Sequence, residues 1–270
     1  MSNWRLFKHE ERGAVEDKKW VMNEGGELAL FKPYDEFKNP IGAELNSYKV
    51  ALALGIPCAR IEEVTISGVD GIVSYDFRED GFTYCPGGGL IEKAVGFTLV
   101  RENSDGDIIS PHGEPCGNIT VQDIQTNKRL KPLEKGVIDM LFFDCLILNQ
   151  DRHGKNWEIK LDIKGEIAGI APLFDHGYCL NDDNVHKVRF PWRKDRNRYV
   201  YLSFENFFGK LCEQYPSQIH DWLKKCDEIK NTLPEFCRNR LRNMNNVYTL
   251  LVEKESRDVP VQPTQPRRRR

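Results

Sequence analysis

The chain has 270 residues, 40% hydrophobic and 30% charged, with a formal net charge of −2. This is the make-up of an ordinary water-soluble globular protein with room for a sizeable core, and it excludes a collagen-like, low-complexity or uniformly basic nucleic-acid-coating chain. No apolar run approaches the ~18 residues of a membrane span. The N-terminus has no apolar leader, and the eight cysteines are scattered without a C-x-x-C pair. Together these point to a reducing, cytoplasmic setting without a disulfide framework or zinc knuckle.

In chain order, Trp20-Val21-Met22 and Leu28-Ala29-Leu30-Phe31-Lys32 predict paired strands joined across Glu24-Gly25-Gly26. A lysine inside such an apolar strand must snorkel or find a partner. Ile41 to Leu54 predicts a helix stopped by Gly55 and Pro57, with Glu44 in its first turn on the same face as Tyr48 and Ala51. A Lys32–Glu44 pair that clamps phosphates accounts for both residues; a surface lysine and a dipole-favoured glutamate are the plainer reading. Ile61 to Ile66 and Gly71 to Phe77 predict another hairpin, whereas residues 78–130, rich in Gly, Pro, Asp and Asn, give no clear element. Gly87-Gly88-Gly89 lacks the context of a phosphate loop and reads as a flexible loop.

Leu133 to Leu148 predicts a helix apolar nearly all round, hence buried. It delivers the chain into Asn149-Gln150-Asp151-Arg152-His153-Gly154-Lys155-Asn156. Trp157, Ile159, Leu161 and Ile163 then alternate with polar residues, the period of a half-buried strand. Lys164-Gly165 predicts a two-residue turn, and a second apolar run ends near Pro172. If Ile163 pairs with Glu166, Asn156 falls opposite Leu173 and Asp175 opposite Gly154. Asn156 and Asp175 become diagonal neighbours roughly 7–8 Å apart, a spacing at which two oxygen-bearing side chains can share one Mg²⁺. Asp151, five residues before Asn156, has the reach of a base acting on a hydroxyl beside that metal. His153 can orient Asp151 or touch a phosphate, and Lys155 can contact phosphate; structural roles are nearly as plain for both. Ile219, Trp222, Leu223, Cys226 and Ile229 mark an amphipathic helix near the C-terminus, and from about Lys254 the Pro- and Arg-rich end reads as a disordered tail.

Asn149-x-Asp151-x-His153-x-Lys155-Asn156, Ala171-Pro172-Leu173-Phe174-Asp175, Leu30-Phe31-Lys32-Pro33 and Ala43-Glu44 through Ile56-Pro57 together resemble the HipA-like serine/threonine kinases, relatives of protein kinases and phosphatidylinositol kinases. The resemblance covers roughly residues 10–250. It implies an α+β, two-lobed kinase-like fold. Residues 1–77 would form a β-rich small lobe with one key helix, 78–252 a mainly helical large lobe, and 253–270 a basic tail. It implies ATP and Mg²⁺ as cofactors. Asp151 would be the catalytic base with His153 beside it, and Asn156 and Asp175 the metal ligands. Lys32 would reach the phosphates with Glu44 steadying it. Tyr75-Asp76-Phe77 would be the adenine-facing hinge and Glu11 to Lys19, around Gly13, the covering loop. The substrate would be a protein Ser/Thr hydroxyl, with an antitoxin-like regulator as a further partner and no direct nucleic-acid binding. Asp151-Arg152-His153 is also similar to the lipid-kinase loop, so a lipid substrate stays open, as do a nucleotide-binding regulator of low turnover and a metal-dependent phosphoester hydrolase built from Asp151, His153, Asp175 and His176.

Overall fold

A computed structural model of the chain describes residues 4–7, 18–35, 42–87, 90–93, 96–99, 101, 102, 108, 109, 121–149, 152, 154–177, 179, 190–195 and 198–258. Its first half is an antiparallel sheet of five strands: β1 (Arg5–Leu6), β2 (Lys19–Met22), β3 (Leu28–Pro33), β4 (Ile61–Ile66) and β5 (Val69–Tyr75), in the order β1-β2-β3-β5-β4. The β4–β5 turn needs two left-handed residues, supplied by Ser67 and Gly68 (φ 54° and 81°), which matches the strand twist. Ala29 and Phe31 alternate onto one face of β3, where they pack with Val21 and Val73. Alternation places Lys32 on the opposite face.

Close strand approach depends on Gly71, opposite Pro33. A Cβ there would lie 2.4 Å from the Lys32 carbonyl oxygen. Gly71→Ala is therefore expected to push β5 off β3 beside Lys32 and to destabilise the fold by about 1–3 kcal/mol, read from a urea midpoint.

Helix α1 (Ala43–Leu54) joins β3 to β4. Gly55, left-handed at φ 66°, ends it by donating its N–H to the carbonyls of Ala51 and Leu52. Its apolar side (Val50, Ala51, Leu54) belongs to the larger core of the second half, not to the small sheet's own cluster.

The second half contains the strands β6 (Thr83–Pro86), β7 (Leu90–Lys93), β8 (Gly96–Leu99), β9 (Arg101–Glu102) and β10 (Ile108–Ile109), then α2 (Val121–Thr126) and α3 (Glu134–Ile147). After α3 come β11 (Glu158–Leu161), β12 (Ile167–Ile170), β13 (Phe190–Asp195), β14 (Arg198–Leu202), α4 (Phe204–Gln214), α5 (Pro216–Ile229) and α6 (Glu235–Asp258). Every residue of α3 from Met140 to Ile147 is buried, so this helix is the axis of the core. Phe142 stacks on Trp222 of α5 at 5.7 Å and tilts against Phe208 of α4 at 6.3 Å. Helix α6 runs to Asp258, past the Lys254 at which the sequence suggested a tail; Lys-Glu-Ser-Arg-Asp carries no breaker, and the first proline comes at Pro260.

The β11–β12 hairpin departs from its expected turn. Asp162 accepts from the N–H groups of Lys164 and Glu166 through Oδ1, and Asp162 N–H donates to the Glu166 carbonyl, so the loop is one residue wider than Lys164-Gly165. A bulge between Lys160 and Leu161 makes up the difference. The expected register returns at Ile159↔Ile170, and the Glu158 carbonyl accepts from Ala171. Ile163, expected inside, sits in the turn and is 84% exposed.

Candidate active site

Three segments converge on Asp175. From β3, Lys32 Nζ lies 2.5 Å from Glu44 Oε1 of α1 and 2.9 Å from Asp175 Oδ1. Lys18, just ahead of β2, stands 3.5 Å from the same Asp175 oxygen. Lys32 and Glu44 are 4% and 2% exposed, whereas the Asp175 side chain keeps 27% of its surface. One carboxylate thus faces two ammonium groups and stays partly open to solvent.

Electrostatics follow from burial and pairing. Burial alone would drive the proton off Lys32, but the carboxylates of Glu44 and Asp175 outweigh it and hold the amine protonated beyond its usual range. Burial likewise works against charge on Asp175, and Lys32 and then Lys18 reverse it, keeping that carboxyl well below the usual range. Glu44 is raised, because burial exceeds the help it receives from Lys32. Among the described residues its Oε2, buried, has no hydrogen-bond partner.

The backbone brings Asp175 here through local stitching. Leu173 N–H donates to the Pro57 carbonyl and Ala59 N–H donates to the Leu173 carbonyl, so the strand leading to Asp175 is tied to the chain that leaves α1. Asp175 itself is left-handed (φ 58°), a conformation Asp tolerates better than most residues and one found at functional sites. Beside it His176 is 1% exposed, and burial followed by the Arg152 charge holds it neutral.

The neutrality of His176 has a measurable consequence. The unfolded chain takes up a proton at this position below about pH 6.5 and the folded chain does not, so stability falls as pH falls. In metal-free protein with EDTA, the urea midpoint is expected to drop between pH 6.5 and 5 with a contribution of up to about 1.4 kcal/mol per pH unit. His176→Gln should flatten that slope, and an unchanged slope would place the protonation elsewhere.

Arg152 forms the other half of the site. Its guanidinium straddles Asp144 of α3 (Nη2 to Oδ1 2.9 Å, Nε to Oδ2 3.0 Å) and donates through Nη1 to the carbonyls of Asn156 and Phe174, the latter at 3.0 Å. Asn149 Nδ2 also donates to Asp144 Oδ1, at 3.1 Å. Leu148, left-handed at φ 53°, turns the chain off α3 into this loop. Asn156 is buried (4%) two residues before β11, and Lys155 is exposed.

Gly13, Asp151 and His153 lie outside the described residues. Tyr75 and Asp76 lie at the end of β5: Tyr75 turns its ring under Arg60, 3.4 Å from the guanidinium carbon, and Asp76 N–H donates to the Leu28 carbonyl. Phe77 stacks on Phe174 at 5.5 Å, one residue from Asp175. Lys18, Asp144 and Arg152 were not singled out from the sequence. A signal existed for Asp144, an acid inside a helix apolar on every side, which must have a buried partner.

The site's oxygens suit a hard cation. Asp175 uses Oδ1 for both lysines, and Asn156 supplies an amide, so an ion such as Mg²⁺ held here would keep several waters or take phosphate oxygens.

No family model and no curated protein matches the sequence. Solved structures do match the fold. The proinflammatory kinase CtkA of Helicobacter pylori superposes with a TM-score of 0.58 over 88% of this chain and 95% of its own, at 19% identity. The chain has a two-lobed kinase-like fold. Weaker likenesses are to a chain of the Shewanella oneidensis MR-1 toxin–antitoxin complex of HipA, HipB and operator DNA (TM-score 0.43, 12% identity, 94% of this chain and 69% of that one) and to the golgi casein kinase (0.45, 12%, 94% and 74%). Against that fold, the five-stranded sheet with α1 is the small lobe and the α3-centred half is the large lobe, with Lys32 and Asp175 meeting between them.

Proposed function

We propose that this chain is an ATP- and Mg²⁺-dependent kinase that transfers the γ-phosphate to a Ser/Thr hydroxyl of a protein in the cytoplasm. The observation that carries the reading is the Lys32–Glu44–Asp175 cluster: a protonated lysine buried in a strand, steadied by a helix carboxylate and aimed at a partly exposed aspartate. A hydrolase built on Asp151, His153, Asp175 and His176 gives Lys32 no task. In the kinase reading a bound metal would supply charge neutralisation at the phosphates. Asn156 and Asp175 would hold it, and Lys32 and Lys18, now facing Asp175, would meet phosphate oxygens. Lys155, exposed beside Asn156, can add a further cation. Asp151 takes the hydroxyl proton with His153 orienting it, the 75–77 backbone meets adenine, and the segment around Gly13 covers the phosphates. Catalysis is then positioning and charge neutralisation. Among the described residues no helix is long and apolar enough to cross a membrane. An antitoxin-like regulator is a further proposal, supported by the catalytic-loop resemblance alone.

The test is transfer of labelled γ-phosphate from Mg-ATP by wild type and Asp151→Ala, alone, with cell lysate and with phosphatidylinositol vesicles. Label on a protein band that vanishes with the variant supports the reading. Label on lipid shifts the substrate class, ATP binding without transfer indicates a regulatory nucleotide binder, and no binding at all ends the kinase reading.

A further inference from the structure

Between the chain that leaves α1, the end of β12, α3 and α5 lies a cavity of about 550 Å³. It is walled by the chain just past α1 (Ile56, Pro57), by Met140 of α3, by Leu173, and by Trp222 of α5. This size falls within the range of small-molecule sites, and mostly apolar walls with a few fixed polar groups are what such sites share.

One wall is held rigid. Asp139 accepts at Oδ1 from Trp222 Nε1 (2.5 Å) and Gln218 Nε2 (2.7 Å), and at Oδ2 it meets Lys135 Nζ (2.7 Å). The indole is therefore fixed in place, and the Asp139 charge is already answered within the protein. Lys225 is different. Half-buried on α5, it stands 5.1 Å from the Trp222 ring and close to Gly55, where an added Cβ would lie 3.4 Å from its Nζ. It pairs with no carboxylate among the described residues, and Asp221, also at the rim, is exposed. The pocket thus offers apolar walls, an immobilised indole and, in its lining, one half-buried cation with no counter-charge among the described residues.

From these features we propose that the cavity is a binding site for a planar aromatic molecule carrying one acidic group, its ring against Ile56, Met140 and Trp222 and its anion on Lys225. The site borders the C-terminal end of α1, which carries Glu44, and Leu173, two residues before Asp175. Through Leu173 and the chain that leaves α1, its occupant acts on nucleotide binding. The existence of the site does not depend on the kinase reading; its coupling to the cleft does.

The experiment is a fluorescence titration of the full chain with 8-anilinonaphthalene-1-sulfonate. Saturable one-to-one binding that Mg-ATP does not displace is expected. Lys225→Glu should weaken it roughly tenfold, the loss of about 1.4 kcal/mol of pairing. Lys225→Arg should retain it, and both variants should keep the wild-type unfolding midpoint within a few degrees, since Lys225 is only half-buried and pairs with no carboxylate among the described residues. The uncharged N-phenyl-1-naphthylamine should bind wild type and Lys225→Glu alike. Unchanged sulfonate affinity in Lys225→Glu, displacement by Mg-ATP, or no saturable binding overturns the site. For the coupling, the Mg-ATP dissociation constant should change about threefold under saturating probe in wild type and not in Lys225→Glu. A constant value removes the coupling and leaves the site. No Mg-ATP binding in either condition defeats the kinase reading and the coupling with it, again without touching the probe result.

Discussion

Lys32→Met is expected to cut phosphate transfer by about 10²- to 10³-fold and to destabilise the fold at the same time, and the two losses separate in a double variant. Removing the ammonium leaves Glu44, 2% exposed, as a buried carboxylate without its counter-charge. Breaking a buried pair from one side costs about 3–5 kcal/mol, while replacing both partners by apolar groups of similar volume is often neutral. Lys32→Met with Glu44→Leu should therefore recover most of the stability lost in the single variant, because leucine is a good helix former and its site in α1 is buried. Asp175 retains Lys18 in both variants. Transfer should stay about 10²- to 10³-fold down in the double variant, since no cation remains at the Lys32 position. A double variant no more stable than the single would show that the pair is not the source of the cost. Near-normal transfer by either would remove Lys32 from the phosphates. The pH range of the cluster is wide. Asp175, lowered in the folded chain, contributes stability that is present above the ordinary aspartate value and lost only as pH falls below it. Lys32, raised, contributes below the ordinary lysine value and loses that contribution only as pH climbs past it.

What could be read from the residues alone follows from the range over which each interaction acts. The Lys32–Glu44 pair was legible because both signals are local: a lysine in an apolar strand, and an acid on the buried face of the next helix, where Ser47 and Ala51 line up with it rather than Tyr48. The β4–β5 hairpin was legible from its two apolar runs, but its second strand spans Val69–Tyr75 rather than Gly71 to Phe77, because Ser67 and Gly68 alone make the turn. The β11–β12 turn was misread because a side chain set it: Asp162 captures two backbone N–H groups and widens the loop. That error stayed local only because the bulge cancels it, and the sign of the bulge was available in Gly169, which sits in a strand at φ 141°. Strand β6 was not legible at all. It pairs with β11 across a separation of more than seventy residues, and no pattern within Thr83–Pro86 says which edge it will join.

Arg152 is expected to decide the geometry of the catalytic loop, although it touches none of the proposed metal ligands through a side chain. Its guanidinium holds three things together: the Asp144 carboxylate at the end of the core helix, the carbonyl of Asn156, and the carbonyl of Phe174 just ahead of Asp175. Burial opposes its charge, and Asp144, wholly buried, overrides that and keeps it protonated. Arg152→Met leaves Asp144 unpaired in the core and should cost about 3–5 kcal/mol, enough to threaten folding. Arg152→Lys is the more discriminating variant. An ammonium can still answer Asp144, but a point charge cannot span a carboxylate and two diverging carbonyls as a planar fork does. This variant should fold with a loss of about 1–2 kcal/mol and let the two carbonyls drift relative to each other. A displacement of about 1 Å at the reacting groups is worth as much as 10²-fold in rate. The expected result is therefore a protein that melts nearly normally, still binds Mg-ATP within a few-fold, and has lost most of its kcat. If Arg152→Lys retained full kcat, the guanidinium bridge would be a stabilising contact only, and the spacing of Asn156 and Asp175 would have to be set by the β11–β12 register alone.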